Sequence, residues 1–324
     1  MRRVLVVGGA GYIGSHCVRA LQERGDEVVV FDDLSTGHRA AFDCELVQAD
    51  VRDAIALDRA LSQQPFDAAI HLAAKALVGE SVARPELYLD VNVGGTSALA
   101  HALIRAEVPA LVFSSTCAVY GTPQKTPVDE EHPKRPESPY GLSKWLAEQV
   151  LEQLSASGRL ASASLRYFNA AGAQPDGSLG ESHTPETHLI PLALQARLGQ
   201  RPPLRVFGRD WPTPDGTCVR DYIHVLDLAS AHLAALDALV EGAPSGAWNL
   251  GTGHGSSVLE VLAAIERQTG EPVPWTDAAR RDGDPAAVWA CAGLAEQDLG
   301  WSAKHTRLDD IVSDAWRWAR RPRY

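Results

Sequence analysis

The strongest constraint on the fold lies at the start of the chain. Residues 4–7 are a run of four aliphatic side chains, "GGAGYIGSH" follows at residues 8–16, and a second apolar run over 27–31 ends in Asp32-Asp33. Four aliphatic residues in succession predict a strand buried on both faces. The glycines behind it permit a turn too tight for side chains. Gly9-x-Gly11-x-x-Gly14 lies between a predicted strand and a predicted helix, the setting in which such a motif is specific. Bare main chain at a helix N-terminus presents unpaired N–H groups and the positive end of the dipole, which together hold a pyrophosphate. A carboxylate about 20 residues further on, at the end of the second strand, accepts the hydroxyls of a ribose. Strand, glycine turn, helix, strand and acid in this order predict a dinucleotide site. Asp32 would repel a 2′-phosphate, so NAD is expected rather than NADP. Asp50-Val51, after the third apolar run, are the candidates for framing the adenine.

The alternation continues. Apolar runs recur over 46–48, 68–72, 110–114 and 161–166, with helix-like segments over 15–24, 54–63 and 92–105 between them. This order predicts an α/β protein, a Rossmann-type doubly wound parallel sheet with helices on both faces. From Asn169 onward the pattern loosens into Gly/Pro-rich stretches, "GAQPDGSLGESHTPETH" and "GRDWPTPDGT". Long loops of this kind usually bind a ligand or move. The expected division is a dinucleotide-binding domain over residues 1–168, to which a segment around 215–245 returns, and a smaller, mainly substrate-binding domain over 169–324.

Composition narrows the partners. The 324 residues carry a formal net charge of −11, which gives a nucleic acid or an anionic membrane no electrostatic support. Five cysteines stand far apart with no Cys-x-x-Cys pair, so neither a disulfide framework nor a structural zinc is expected, and no metal site is predicted. Arg2-Arg3 before the first apolar run imitates the start of a signal peptide, but the glycines interrupt it at once. A cytoplasmic protein is expected.

The chemistry lies in "SPYGLSKWLAEQ". Ser138 suits an N-cap and Pro139 the first helical position, so Tyr140 and Lys144 should stand one turn apart on the same face of a new helix. A phenol with a pKa near 10 is a poor base at neutral pH, but a neighbouring ammonium and a cationic nicotinamide both favour the phenolate. Thr116, just beyond the run 110–114, adds a hydroxyl at the carboxyl end of a predicted strand, where ligands of α/β sheets bind. It can hold the substrate oxygen whose proton Tyr140 removes.

In these segments, and in "HLAAKALVGESV", "FSSTCAVYG", "LRYFNAAGA", "CVRDYIHVLDLA", "WNLGTG" and "RRDGDPAAVWA", the chain resembles the extended short-chain dehydrogenase/reductases, and within them the UDP-sugar 4-epimerases. The resemblance runs nearly the whole length. It implies catalytic roles for Thr116, Tyr140 and Lys144, and cofactor contacts at Gly8, Gly11, Tyr12, Ile13, Gly14, Asp32, Asp50, Val51, Asn92, Tyr140 and Lys144. It places Asn169, Arg220, Arg281 and Asp284 at the nucleotide diphosphate or the uridine, together with His188, where the family often has Asn. The implied reaction is inversion at C4 of a UDP-hexose, UDP-galactose or UDP-glucose, through a transient 4-keto sugar by an NAD-dependent homodimer. Val288 stands where some members carry tyrosine and others a small residue, which implies a pocket that also admits N-acetylated sugars. UDP-xylose is a further candidate. A 4,6-dehydratase would carry an Asp-Glu pair after the hydroxyl residue, where this chain has Cys117-Ala118. A silent sensor would usually lose the tyrosine or the lysine. A dehydrogenase that releases NADH is not separated by spacing alone.

Overall fold

The computed structural model describes residues 1–281 and 283–324. In the first half, six strands, β1 (Arg3–Val7), β2 (Glu27–Asp32), β3 (Glu45–Gln48), β4 (Ala68–His71), β5 (Ala110–Ser114) and β6 (Ala161–Tyr167), are separated by helices. These are α1 (Tyr12–Arg24), α2 (Ala54–Leu61), α3 (Val78–Ala83), α4 (Pro85–Tyr88), α5 (Gly95–Arg105) and α6 (Pro139–Ala156). The second half holds β7 (Asn169–Ala171), α7 (Leu189–Arg197), β8 (Leu204–Phe207), β9 (Val219–Arg220), β10 (Tyr222–His224) and α8 (Val225–Val240). It continues with β11 (Gly246–Leu250), β12 (Ser256–Ser257), α9 (Val258–Thr269), β13 (Trp275–Ala278), β14 (Ala287–Val288), α10 (Gly293–Leu299) and α11 (Leu308–Ala319).

The main sheet is seven-stranded, in the order β11-β6-β5-β4-β1-β2-β3, and every pair in it is parallel. Strand order reverses between β1 and β4, which opens the crevice at their carboxyl ends where doubly wound sheets bind ligands. Side chains of β1 alternate between two cores. Val4 and Val6 face Val18 and Leu21 of α1 and Leu228 and Leu236 of α8, while Leu5 and Val7 face Leu57, Leu99, Leu103 and Leu151 of α2, α5 and α6. Both faces are therefore buried, as the unbroken aliphatic run of β1 requires.

The chain leaves this sheet after β6 and comes back. α8 packs on α1 and on β4 to β6, and β11 pairs with β6 as the outer strand, Trp248 opposite Leu165. A separate apolar core in the second half, with Ile190, Leu194, Val261, Ile265, Ile311 and Val312, is built from α7, α9 and α11.

One helix differs from its expected course. The segment predicted over 92–105 begins as a π-helical turn, Leu89–Gly94, and becomes α-helical only at Gly95. Gly95 lies against Val51, and a Cβ there would come within 2.6 Å of Val51 Cγ1. The wider turn accompanies Asn92, whose amide bonds inward to two other elements, and such insertions recur at functional sites.

Candidate active site

The glycine turn is a cradle of main chain. Gly8 has φ +85°, and a Cβ on it would lie 2.4 Å from Ala73 N. At Gly14 a Cβ would lie 2.1 Å from Gly8 O, so the helix and the turn touch backbone to backbone. A Cβ on Gly11 would meet only Gly8 O at 3.5 Å. That glycine faces the open cleft, of about 340 Å³, which Gly8, Asp32, Asp50, Val51 and Lys75 help to line. Gly11 is the N-cap of α1 and gives no side-chain cap, which leaves the first-turn amides to a ligand.

Carboxylates close the far end of the cleft. Asp32 accepts from Ala10 N at 2.9 Å and Leu34 N at 2.8 Å. Burial pushes its carboxyl pKa up, and those two amides oppose the rise. Each oxygen keeps a lone pair for a ribose hydroxyl. Asp50 pairs with Arg52, which holds it below the usual carboxylate range, and Arg52 also reaches Asp90. The arginine at this end is thus already neutralised. Lys75 adds a positive charge to the cleft wall, in the loop after β4.

Two residues expected at the cofactor are held differently from a simple side-chain contact. The Tyr12 hydroxyl donates to Gly172 O at 2.6 Å, so Tyr12 joins the two halves, and with Ile13 it forms the first turn of α1. Asn92 is engaged at both ends of its amide. Its Oδ1 accepts from Lys75 N at 2.8 Å, and its Nδ2 donates to Lys75 O at 3.0 Å and Ser143 Oγ at 2.9 Å. Asn92 therefore clamps the Lys75 loop to α6.

α6 begins as the caps predict. Ser138 accepts from Gly141 N at 3.1 Å, with Pro139 at the first helical position. The helix brings Tyr140 and Lys144 to the carboxyl end of β5. Lys144 Nζ donates to Ser114 O at 2.8 Å and stands 4.8 Å over the Phe113 ring. Burial pulls its pKa down to about 7, against the attraction of Glu148. Thr116 Oγ1 accepts from Ala118 N at 3.2 Å, which leaves its own O–H free to donate. Burial pushes the Tyr140 phenol well above its ordinary value, and the Thr116 hydroxyl draws it back. A proton acceptor, a donor for the same substrate oxygen and a titratable ammonium thus converge at one strand end.

Behind them lies a network that sequence reading missed. Glu148 pairs with Arg166 at 2.6 Å and takes the Ser115 hydroxyl, and Arg166 donates to Tyr120 at 3.0 Å. Asp221, fully buried, accepts from Thr252 N and Oγ1, Gly253 N and Ala290 N. Both acids are engaged, so no free carboxylate is supplied beside Thr116 by these neighbours. Burial pushes the Cys117 thiol up to about 12, which makes it a packing group rather than a nucleophile.

Across the site, Asp284 bridges two arginines, with Arg220 Nη2 at 3.8 Å and Arg281 Nε at 3.6 Å. The Arg281 guanidinium lies 4.2 Å over the Phe207 ring. Arg220 is opposite Val288 in the β9–β14 pair, and Asn169 is opposite Tyr222 in β7–β10. The Val288 side chain belongs to a buried apolar cluster with Val119, Tyr120, Phe168 and Ala290, against which Cys117 packs. His188 stands apart from this group, its Nδ1 held by Glu181.

The fold and this site define an α/β protein of the doubly wound class, with a bare glycine turn at its switch point and a tyrosine and lysine one helical turn apart at the end of β5. The chain belongs to the NAD dependent epimerase/dehydratase family, whose profile matches residues 4–251. Among curated relatives, the UDP-glucose 4-epimerase of Rhizobium meliloti is 49% identical over 316 residues, 97% of this chain and 96% of its own. A crystal structure of UDP-glucose 4-epimerase from Brucella ovis in complex with NAD superposes with a TM-score of 0.96 at 45% identity, covering 98% of this chain and 99% of that one. The UDP-Glc/GlcNAc 4-epimerase of Campylobacter jejuni superposes with a TM-score of 0.86 at 38% identity and covers 99% of both chains.

Proposed function

We propose that this protein is an NAD-dependent isomerase that inverts C4 of a UDP-hexose, interconverting UDP-galactose and UDP-glucose. The observation that carries the reading is the convergence on the end of β5 of Thr116, just past that strand, and of Tyr140 and Lys144 on α6, with Lys144 bonded to Ser114 O. The residues of the cleft fit the dinucleotide. Gly8, Gly11 and Gly14 leave main chain for the pyrophosphate, Lys75 supplies a cation, and Asp32 is placed to take ribose hydroxyls and repel a 2′-phosphate.

Tyr140 takes the proton of the C4 hydroxyl as the C–H bond at that carbon breaks. Thr116 holds the same oxygen, first as hydroxyl and then as ketone. When bound, NAD supplies a cationic ring that favours the Tyr140 phenolate and a carrier for the C4 hydride, returned to the opposite face so that no net oxidation results. Arg220 and Arg281 are forked, permanently charged donors suited to a diphosphate, which an acidic protein must provide locally. With Asn169 and Asp284 they hold the nucleotide while the 4-keto sugar turns. His188 still has its Nε2 for the nucleotide. Cys117-Ala118 after Thr116 provide no acid or base for a dehydratase.

N-acetylated hexoses belong to the same proposal, on the strength of the small Val288, which lies opposite Arg220 in the β9–β14 pair. A cytoplasmic homodimer is proposed as well. Among the described residues no helix is long and apolar enough to cross a membrane. Val78 and Val82 on α3 and Leu142 on α6, helices that pack together, are exposed and would be covered by a second copy.

The deciding experiment incubates the purified protein with UDP-galactose and no added cofactor, and follows UDP-glucose by chromatography. Conversion is expected, with NAD carried on the protein. Inertness toward UDP-galactose, UDP-N-acetylgalactosamine and UDP-xylose with NAD supplied would refute the proposal.

A further inference from the structure

The loop between β7 and α7 carries Glu181, His183, Glu186 and His188. One donor atom from each lies within 4.8 Å of the other three. His183 Nδ1 is 3.3 Å from Glu181 Oε1 and 3.7 Å from Glu186 Oε2. His188 Nδ1 is 3.9 Å from Glu186 Oε1 and in closer contact with Glu181 Oε1. Both imidazoles thus turn the same ring nitrogen inward, onto one carboxylate.

We propose that Glu181, His183, Glu186 and His188 form a binding site for a divalent transition-metal ion, best matched by Zn²⁺. Zinc bonds to histidine nitrogen and carboxylate oxygen are about 2.0–2.2 Å, so the edges of its tetrahedron are about 3.3–3.6 Å. The His183 separations match those edges closely, and the tighter His188–Glu181 contact opens when an ion enters. Two imidazoles with two carboxylates suit zinc and disfavour magnesium or calcium, which take oxygen ligands.

Charge points the same way. Glu181 is 8% exposed, and a buried carboxylate needs a compensating charge. A dication held between the two carboxylates supplies it. The ligands are also oriented from outside. Glu186 Oε1 accepts from Thr187 N at 2.7 Å and His188 N at 2.9 Å, which leaves Oε2 for the ion, and the main-chain oxygen of Glu181 accepts from Trp318 Nε1 at 2.8 Å.

Four protein ligands leave no open position, so the ion's role is structural. The His183 ring meets the Tyr12 ring edge-on at 6.3 Å. The ion would therefore anchor this loop against the residue that opens α1 behind the glycine turn. The inference does not depend on the epimerase reading.

The test uses the full chain, treated with a chelator, freed of it and titrated calorimetrically with ZnCl₂ alone. One zinc per chain and a raised Tm are expected, because an ion that binds only the native state stabilises it. Co²⁺ in its place should give the visible absorption of a tetrahedral site. His183→Ala and Glu186→Gln should each weaken zinc binding by more than about tenfold, the loss typical of even an outer-shell partner. Glu186→Gln keeps the oxygen that accepts from Thr187 and His188, and it decides the matter if His183→Ala does not fold. Absence of stoichiometric binding would overturn the proposal, as would zinc affinity unchanged in Glu186→Gln, which would assign the metal to cysteines or surface histidines.

Discussion

Replacing Lys144 by Met should stabilise the cofactor-free protein while destroying its activity, by an amount that depends on pH. Lys144 is 4% exposed, and burial lowers its pKa from 10.5 to about 7. Below pH 7 both the native and the unfolded chain hold the proton, and the native state bears the full cost of a buried ammonium. That cost is about 5 kcal/mol. Between pH 7 and 10.5 the unfolded chain keeps the proton and the native chain does not, so native stability rises with pH. Methionine keeps the length of the stem and removes the titration. It also takes a donor from Ser114 O, which costs about 1–3 kcal/mol. Lys144→Met should therefore be more stable than the parent by about 2–4 kcal/mol at pH 6. The advantage should shrink by about 1.4 kcal/mol per pH unit above 7 and vanish near about pH 9. Urea unfolding of both cofactor-free proteins from pH 6 to 9.5, followed by tryptophan fluorescence, measures the difference. Parallel stability curves across that range would refute the reasoning, because they would mean that Lys144 does not titrate inside the folded protein.

Tyr140→Phe should lower kcat by about 100- to 10,000-fold with little change in KM, as expected for loss of a proton-transfer group, and steady-state kinetics on UDP-galactose checks it. Gly14→Ala forces a Cβ to 2.1 Å from Gly8 O, so the purified variant should carry little NAD when denatured and assayed by absorbance; full occupancy would contradict the cradle. Arg220→Lys keeps the charge and loses the fork, and should raise KM for the UDP-sugar about 10- to 100-fold while sparing kcat. Val288→Tyr overpacks the cluster around Phe168 and should cost about 1–3 kcal/mol of stability. It should also suppress turnover of UDP-N-acetylglucosamine more than of UDP-galactose, and equal loss on both would remove Val288 from the sugar pocket.

How far the sequence could be read depended on whether the signal was local. β1, the glycine turn and α1 were legible because a buried strand, a tight turn and a helix start each leave a mark within a few residues. Ser138 and Pro139 marked the start of α6 in the same way. Asn92 was expected to meet the cofactor from a regular helix, but the π-helical turn and the clamp on Lys75 depend on elements distant in the chain. Glu148, Arg166 and Tyr120 form their network only once α6 and β6 pack together, and no spacing announces it. The Tyr12 hydroxyl is taken by Gly172 across the two halves. His183-x-x-Glu186-x-His188 did carry a local signal. An imidazole–carboxylate set of this kind leaves no mark in cysteine spacing.

Because β11 is the outer strand of the main sheet, the dinucleotide half cannot be finished when its own residues have been made. Until Leu250 leaves the ribosome, β6 stands with one edge unpaired, and until Val240 does, α8, which covers α1 and three strands, is incomplete. An open strand edge and an uncovered apolar face are what chaperones bind and what aggregates. During synthesis about three quarters of the chain, 250 of 324 residues, must be made before this sheet can close, so its open edge persists through most of translation.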